Sequence, residues 1–431
     1  MSLIVQKFGG TSVGTIERIQ SVARWALDTQ AQGHQVVVVV SAMSGETNRL
    51  VQLATQINPI PYSCEYDLLI ASGEQVSVGL VTLAINTEAQ RRMNNKLVGQ
   101  GGNIKKALVK ANARGFLGHQ IGIFTDSVFS KARIQQIDTT LLRKELALGV
   151  IPVIAGFQGV DANNNITTLG RGGSDTSAVA IAAALGADEC EIYTDVEGVY
   201  TTDPRLCPEA KKISKISYEE MMELAGLGAK VLQIRSVELA AKYKISLHVR
   251  SSFNAVHGTR VVAQQDLGGR MEQVLVSGVA ADVGQVQFTL QNLPAGSEVV
   301  AQIFQALSRA SIVVDIIVQD TPSAQRFSLG FTIGKSDALN ARLVLDKLKS
   351  EFYAEMKIFE NRDLAKVSVV GVGMQHHPGV AAKMFSLLAE SRIEIKMIST
   401  SEIKISCIIP EEKMKEAVRS LHQGFELHRF E

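Results

Sequence analysis

IPVIAGFQGVDANNNITTLGRGGSDTSAVAIAAALGADECEIYTD, residues Ile151–Asp195, contains a strand, a glycine turn, a helix and a second strand. Ile151–Ala155 is an apolar run of strand length, and Asn163–Asn165 is turn sequence. Thr176–Leu185 is a helix of small residues, and Glu191–Thr194 is the next strand, closed by Asp195. Between them, Gly170, Gly172 and Gly173 lie within four residues and let the backbone turn its N–H groups inward. Ser174 or Asp175 is expected to cap a helix whose positive end faces the same space. Arg171 adds a fork suited to a carboxylate or a phosphate. An ordinary capped connection has some of these features. The conjunction of glycines, arginine and capped helix after a buried strand favours an anion grip.

The same grammar recurs upstream. Leu3–Val5 reads as a strand that runs through Gln6, Lys7 and Phe8 into Gly9-Gly10, ahead of a helix over Thr15–Gln30. Lys7 stands at the strand's end, where a parallel sheet holds its ligands, although GxxxxGK[ST] is absent. Gln35–Val40 is a buried parallel strand by composition. It ends in a loop whose hydroxyls, Ser41, Ser44 and Thr47, serve turn chemistry or a small polar ligand. Glu74 opens a helix expected over Gln75 to about Ile85, where it suits the helix dipole or would grip an ammonium group. Asn86–Gln120 is the least readable stretch, polar and basic, most simply a solvated face or a loop; Ile121–Thr125 reads as a strand and Asp138–Leu148 as a helix. After Asp195, Gly198 and Pro204 force an irregular loop that carries Tyr200, a ring for stacking, and Arg205, a cation. Ser217 and Glu220 form a capping box, a second helix runs from Lys230-Val231 to about Lys242, and Ile245–Val249 is a closing strand. Strands alternating with helices over residues 1–250 predict one α/β domain.

A chain of 431 residues predicts two or three domains. Lys plus Arg, 44, nearly balances Asp plus Glu, 43, so neither a nucleic-acid surface nor a membrane surface is expected. The four cysteines, Cys64, Cys190, Cys207 and Cys407, lack paired spacing, so no metal site or disulfide framework is expected, and a reducing, cytoplasmic compartment is. The opening MSLIVQKFGG is too short an apolar run for a signal peptide, and runs such as Val36–Val40 are far short of a membrane span. Residues 251–276 read as a linker. Beyond it, Val286–Gln319 and Val367–Thr400 align without gaps, matching Phe304 with Phe385, Leu307 with Leu388 and Ile312 with Ile393. Each unit is half of a ferredoxin-like βαββαβ module, predicting modules over 277–350 and 366–431. Neither clusters ionisable groups of catalytic type, which points to regulation.

Residues 1–250 offer no GxSxG, no CxxC and no histidine cluster. They offer positioning and charge neutralisation, the requirements of phosphoryl transfer. A carboxylate acceptor, with a pKa near 4, is already ionised and needs no general base.

VQKFGGTSVG, VVSAMSGETNRL, ASGEQ, AGFQG, TTLGRGGSDT, YTDVEGVYTTDPR and KVLQIRSVELA, in that order, resemble the aspartate kinase family. HPGVAAKMF and ISTSEIKIS resemble its ACT regulatory module. The resemblance implies an α/β fold: an amino-acid-kinase (carbamate-kinase-like) sandwich with a mainly parallel sheet over 1–250, followed by two ACT domains. It implies transfer of the ATP γ-phosphoryl, with Mg²⁺, to the β-carboxylate of L-aspartate, the first step toward lysine, methionine and threonine. Lys7 and Asp175 would be catalytic. Ser41, Thr47, Glu74, Phe157, Arg171 and Ser174 would hold aspartate. Lys7, Gly9, Gly10, Thr194, Asp195, Tyr200, Arg205, Lys230 and Val231 would line the nucleotide site. An amino-acid effector, lysine and/or threonine, would bind through Met374, His377, Pro378, Gly379 and Val380 with Asn292 and Gln319. The first module has Ser297-Glu298 where the second has Pro378-Gly379, which favours the second as the effector module. A homo-oligomer through ACT domains is implied. Asn86–Gly115 is longer than the family's usual link. The rival readings are a kinase of glutamate or acetylglutamate, and a sensor on a dead kinase scaffold.

Overall fold

The computed structural model describes residues 2–59, 63–99, 112–226, 231–267, 276–320, 326–372, 374 and 377–429. They fall into two compact units: Met1–Val199 with Lys212–Ala225 and Lys230–Gly269, and Tyr200–Lys211 with Gly226–Ala229 and Arg270–Glu431.

The first unit runs β1 (Leu3–Phe8), α1 (Ile16–Ala31), β2 (Gln35–Val40), α2 (Glu46–Ile57), α3 (Cys64–Gly99), β3 (Ala113–Phe116), β4 (Ile123–Thr125), β5 (Ile134–Ile137), α4 (Thr140–Ala147), β6 (Ile151–Ala155), β7 (Gln158–Val160), β8 (Ile166–Thr168), α5 (Gly173–Leu185), β9 (Glu189–Thr194), β10 (Lys215–Ser217), α6 (Tyr218–Leu224), α7 (Ile234–Tyr243), β11 (Ser246–Ser251) and β12 (Thr259–Val262). Its main sheet has the strand order β10-β12-β11-β9-β1-β2-β6-β3, parallel except where β12 meets β11. Helices cover both faces, which is why β2 is an unbroken valine run. Val36, Val38 and Val40 pack with Ile19, Val22, Ala23 and Ala26 of α1 and with Val78, Val81 and Ile85 of α3. Val37 and Val39 are equally buried and alternate away from that cluster. A four-stranded sheet, β5-β4-β7-β8, forms beside it and was not anticipated.

Three expectations change here. The helix expected from Gln75 begins at Cys64 and runs on through Asn86 to Gly99. Ser72-Gly73 looks like a helix start, but Gly73 sits inside the helix because a Cβ there would lie 2.8 Å from the Cβ of Ala42. Asn86 opens no loop; its Oδ1 accepts from the N–H groups of Asn112 and Ala113 and ties α3 to β3. The middle of the long segment, residues 100–111, lies outside the described residues. Over Cys64–Lys96, α3 is long and apolar enough by composition to cross a membrane. Ile70, Ala71, Val78, Val81 and Ile85 are nonetheless buried inside the unit. Finally, the expected linker carries β12, which pairs with β10 and β11 and therefore belongs to the first unit's sheet.

In the second unit come β13 (Gly278–Pro294), α8 (Ser297–Arg309), β14 (Val314–Gln319), β15 (Arg326–Gly334), α9 (Ala338–Glu351), β16 (Lys357–Val370), α10 (Pro378–Glu390), β17 (Met397–Thr400), β18 (Lys404–Pro410) and α11 (Met414–Gly424). They make one sheet of order β14-β15-β13-β16-β18-β17. Both central strands are shared. The second half of β13, from Val286, packs with α8, α9 and β15. Its first half carries Val279 into the core of α10, α11, β16 and β18. The second module therefore takes its fourth strand from Gly278–Val283, upstream of the first module, and not from within 366–431. The reason lies beyond α11, where the described chain makes a 3₁₀ turn at Leu427–Arg429 instead of a strand. Gly278–Val283 fills that edge of the ladder by pairing with Ala365–Val370.

A fragment starting at Leu364 lacks that strand, exposes one edge of β16, and is expected to melt without a cooperative transition. One starting at Val276 is expected to melt cooperatively. Thermal circular dichroism distinguishes them, and a cooperative melt of the shorter fragment would refute the shared-strand account.

Candidate active site

Parallel register brings the strand ends to one edge. Phe8 pairs with Val40 and with Tyr193, and Val40 pairs with Ala155. The loops beginning at Gly9, Ser41, Gly156 and Thr194 therefore leave the sheet side by side, where open α/β sheets hold ligands. Backbone bonds fasten them: Gly9 N–H donates to Tyr193 O at 3.1 Å, Ser41 N–H to Phe8 O at 3.1 Å, and Ser44 N–H to Gly10 O at 3.1 Å. A Cβ on Gly10 would sit 2.8 Å from Ala42 O, so no larger residue fits between these loops.

Lys7, the last residue but one of β1, points its Nζ to within 2.6 Å of Asp175 Oδ1. Both residues are buried, at 8% and 7% exposure, so this is an ion pair in a low-dielectric setting. The sequence suggested that Ser174 or Asp175 caps α5. The cap is Gly172, left-handed at φ +71°, and the helix starts at Gly173. Ser174 and Asp175 thus belong to the first turn, and Asp175 reaches Lys7 instead of capping. Gly170 is also left-handed, at φ +82°, so Arg171 sits between two reversals of the chain. Its side chain is exposed and makes no hydrogen bond or ion pair among the described residues.

Glu74, on α3, is 3% exposed. Its Oε1 accepts from Ala42 N–H at 3.0 Å, while its Oε2 is buried without a partner among the described residues. Burial outweighs that one hydrogen bond and pushes its carboxyl pKa up to about 7. Phe157 adopts φ +69°, held by its N–H to Ser177 Oγ at 3.0 Å and by Leu169 N–H to its carbonyl at 2.9 Å. Ser174 is buried against Gly156. Ser41 and Thr47 are half-buried on the adjacent loop.

On the nucleotide side, Thr194 and Asp195 end β9, where Thr194 Oγ1 donates to Asp195 Oδ1 at 3.2 Å. Val231 is half-buried just before α7, and Lys230 lies outside the described residues. Tyr200 and Arg205 fall in the second unit, where Arg205 Nη2 pairs with Asp203 Oδ2 at 2.9 Å.

The effector set is not one cluster in a single chain. His377 caps α10 with Pro378 at its first position, and Met374 and Val380 are buried there, with Gly379 exposed. Asn292 and Gln319 lie elsewhere. Along the β13–β16 ladder Gly278 opposes Val370, near Met374, whereas Gln291 opposes Lys357, near Asn292. The two groups occupy opposite ends of that ladder, because antiparallel pairing sends the two helix-entering loops in opposite directions.

Among the described residues, Glu189, Glu191 and His248 form a cluster of metal-ligand type. Arg250 and Arg260 already neutralise it, with Nη1 atoms 2.6 Å from Glu191 and 3.2 Å from Glu189. It is on the opposite side of β1 from Lys7, since Glu191 binds Gln6. Two other groups escaped the sequence reading, buried Asp67 and half-buried Arg235. A lone carboxylate or guanidinium on a helix gives no local sign of burial.

A model of the amino acid kinase family matches residues 2–251, and an ACT domain model matches residues 367–425. The aspartokinase of Pseudomonas aeruginosa is 48% identical over 427 residues, covering 99% of this chain and 98% of that one. The aspartokinase of Thermus thermophilus is 46% identical over 431 residues, covering 100% of both. Among solved structures, E. coli aspartokinase III in complex with aspartate and ADP (R-state) superposes with a TM-score of 0.77 at 26% identity, covering 98% of this chain and 99% of the other. The same enzyme in complex with lysine and aspartate (T-state) gives 0.72 at 26% identity, covering 100% of both.

Proposed function

Because the chain belongs to the amino acid kinase family, among its aspartokinases, we propose that the loops around Lys7 carry the ATP γ-phosphoryl to the β-carboxylate of L-aspartate, giving 4-phospho-L-aspartate. The observation that carries this reading is the buried Lys7–Asp175 pair at the sheet edge. It is a fixed cation, held by its carboxylate partner, beside two glycines that leave backbone room for phosphates.

Lys7 neutralises charge on the transferring phosphoryl, and Asp175 holds Lys7 in place. Gly9, Gly10, Thr194, Asp195 and Val231 border the nucleotide, with Lys230 proposed to join them. Glu74 takes the aspartate ammonium on the oxygen left without a partner. Arg171 takes a substrate carboxylate, and Ser41, Thr47, Phe157 and Ser174 enclose the rest. The β-carboxylate is ionised at neutral pH and attacks the γ-phosphorus as ADP leaves, so the site needs no general base. Mg²⁺ is proposed to arrive on the nucleotide, since it keeps several waters and needs only one or two carboxylates besides phosphate oxygens. Asp195, exposed at the end of β9, is such a carboxylate.

We propose that the chain is feedback-regulated through its ACT modules. We propose lysine and/or threonine as effector. The separation of Met374–Val380 from Asn292 and Gln319 supports a homo-oligomer in which a second chain brings the two groups together.

A coupled ADP-release assay tests the reading. Turnover is expected with aspartate and not with glutamate or acetylglutamate, and EDTA is expected to lower it at least 100-fold, the scale of losing one charge-stabilising element. Turnover on glutamate alone would establish the rival kinase instead. Nucleotide-free effector binding without any turnover would favour a sensor.

A further inference from the structure

The Arg171 turn is braced by two charges of opposite sign, one buried and one half-buried, that bond different groups of it. Asp67, on α3, is 0% exposed. Its carboxylate accepts from Thr168 N–H at 2.6 Å, from Ser130 N–H at 3.0 and 2.9 Å, and from Ser130 Oγ at 3.0 Å. Arg235, on α7, donates from Nη1 to Leu169 O at 2.7 Å and from Nη2 to Ala132 O at 3.0 Å. Both residues therefore grip the same two segments, Ser130–Ala132 and Thr168–Leu169. Asp67 takes their N–H groups and Arg235 takes their carbonyls. Ala132 N–H to Thr168 O, at 2.9 Å, stitches the segments together.

The geometry being held is unfavourable by itself. Ser130 has φ +66°, which costs an L-residue about 1–2 kcal/mol. It crosses Gly170 so closely that a Cβ on Gly170 would lie 3.0 Å from Ser130 O. Two left-handed residues are thus pressed together directly before Arg171. Neither Asp67 nor Arg235 forms an ion pair among the described residues; Asp67 is held by backbone N–H groups and the Ser130 hydroxyl, and half-buried Arg235 by two backbone carbonyls. A purely structural contact would be served as well by neutral groups of similar volume. Charged groups gain where dipoles must be fixed in direction.

We propose that Asp67 and Arg235 are a pair of positioning residues. They lock the Ser130–Gly170 crossing from opposite helices and so aim the exposed Arg171 guanidinium at the substrate carboxylate. The inference rests on the reading above, in which Arg171 holds aspartate. Gln233, the N-cap of α7, supports the same turn. A Cβ on Gly172 would meet its side chain at 2.4 Å, and Thr176 Oγ1 donates to its Oε1 at 3.4 Å.

The test is a steady-state comparison of Asp67→Asn, Arg235→Gln and Arg235→Lys, each made with Arg171 intact and with Arg171→Ala, in the full chain. With Arg171 present, Asp67→Asn and Arg235→Gln are expected to raise the aspartate KM about 10- to 100-fold, the scale of misplacing a binding group by an ångström. The ATP KM is expected to stay within about twofold. Arg235→Lys keeps the charge and one hydrogen bond, and is expected to recover part of the loss. In the Arg171→Ala background all three are expected to add nothing. Equal losses in both backgrounds, or an ATP KM that rises in step, would overturn the positioning role. Should Asp67→Asn melt below the assay temperature, the two Arg235 variants carry the same comparison. An unchanged aspartate KM in Arg171→Ala alone would refute the substrate role of Arg171 itself. A raised KM there with additive losses would refute only the brace.

Discussion

Lys7→Ala is expected to lower kcat by about 10²–10³-fold, the usual cost of deleting one preorganised group that stabilises transition-state charge. The substitution also has a structural consequence that must be separated from the chemical one. Lys7 and Asp175 are each more than nine-tenths buried and 2.6 Å apart. Removing the ammonium leaves Asp175 as an uncompensated buried charge, which costs about 3–5 kcal/mol unless it takes up a proton. Lys7→Ala is therefore expected to melt earlier as well as to turn over slowly. The double variant Lys7→Ala with Asp175→Asn removes both charges, and is expected to regain most of the stability and none of the activity. Thermal melts beside single-turnover rates separate the two effects. Near-normal turnover in Lys7→Ala would end the assignment of Lys7. Recovery of activity along with stability in the double variant would show that the pair only holds the fold.

Which parts of this site were legible depends on how far the physical cause lies along the chain. Lys7 next to Gly9-Gly10 and Arg171 between glycines are local patterns, because the strand, the turn and the cation are neighbours in sequence. The cap of α5 was misread for a local reason too. Ser174 and Asp175 are good capping residues, but Gly172 can take the left-handed conformation and ends the turn sooner. The length of α3 was obscured by Gly73, which reads as a breaker and is small because Ala42 crosses it. Other features are set from a distance. The strand Gly278–Val283 looks like the start of the first module, and nothing in its alternation says that its partner is Ala365–Val370. Asp67 is 101 residues from the Thr168 N–H it accepts, and Arg235 is 66 residues from Leu169. Their charges look solvated until the fold closes over them.

Glu74 illustrates the same limit, because its ionisation is decided mainly by burial, and it yields the second large expected effect. In the ligand-free protein its carboxyl, ordinarily near 4.5, is pushed up to about 7 by desolvation. Below pH 4.5 both folded and unfolded chains hold this proton, and the group contributes nothing to the pH dependence. Between about 4.5 and 7 the folded chain retains a proton that the unfolded chain releases, so stability falls as pH rises through that window. Above 7 the full penalty, about 3 kcal/mol at most, is present. Glu74→Gln is therefore expected to stabilise the ligand-free enzyme at pH 8, by about 1–3 kcal/mol less the cost of burying the amide, and to leave it unchanged below pH 4.5. Activity is expected to move the other way. Among the described residues the buried Oε2 has no partner, so aspartate binding, which brings an ammonium group, draws on the ionised form. The aspartate KM of the unaltered enzyme is expected to rise up to about tenfold for each pH unit below 7, while Glu74→Gln shows a KM about 100-fold higher with that pH dependence gone. Denaturant melts and KM profiles between pH 5.5 and 8.5, a range chosen to span the shifted carboxyl at about 7, decide both halves. A flat profile in the unaltered enzyme, or an equal slope in Glu74→Gln, would place the ammonium elsewhere. A variant less stable at pH 8 would mean that Glu74 is already satisfied as an anion before aspartate binds.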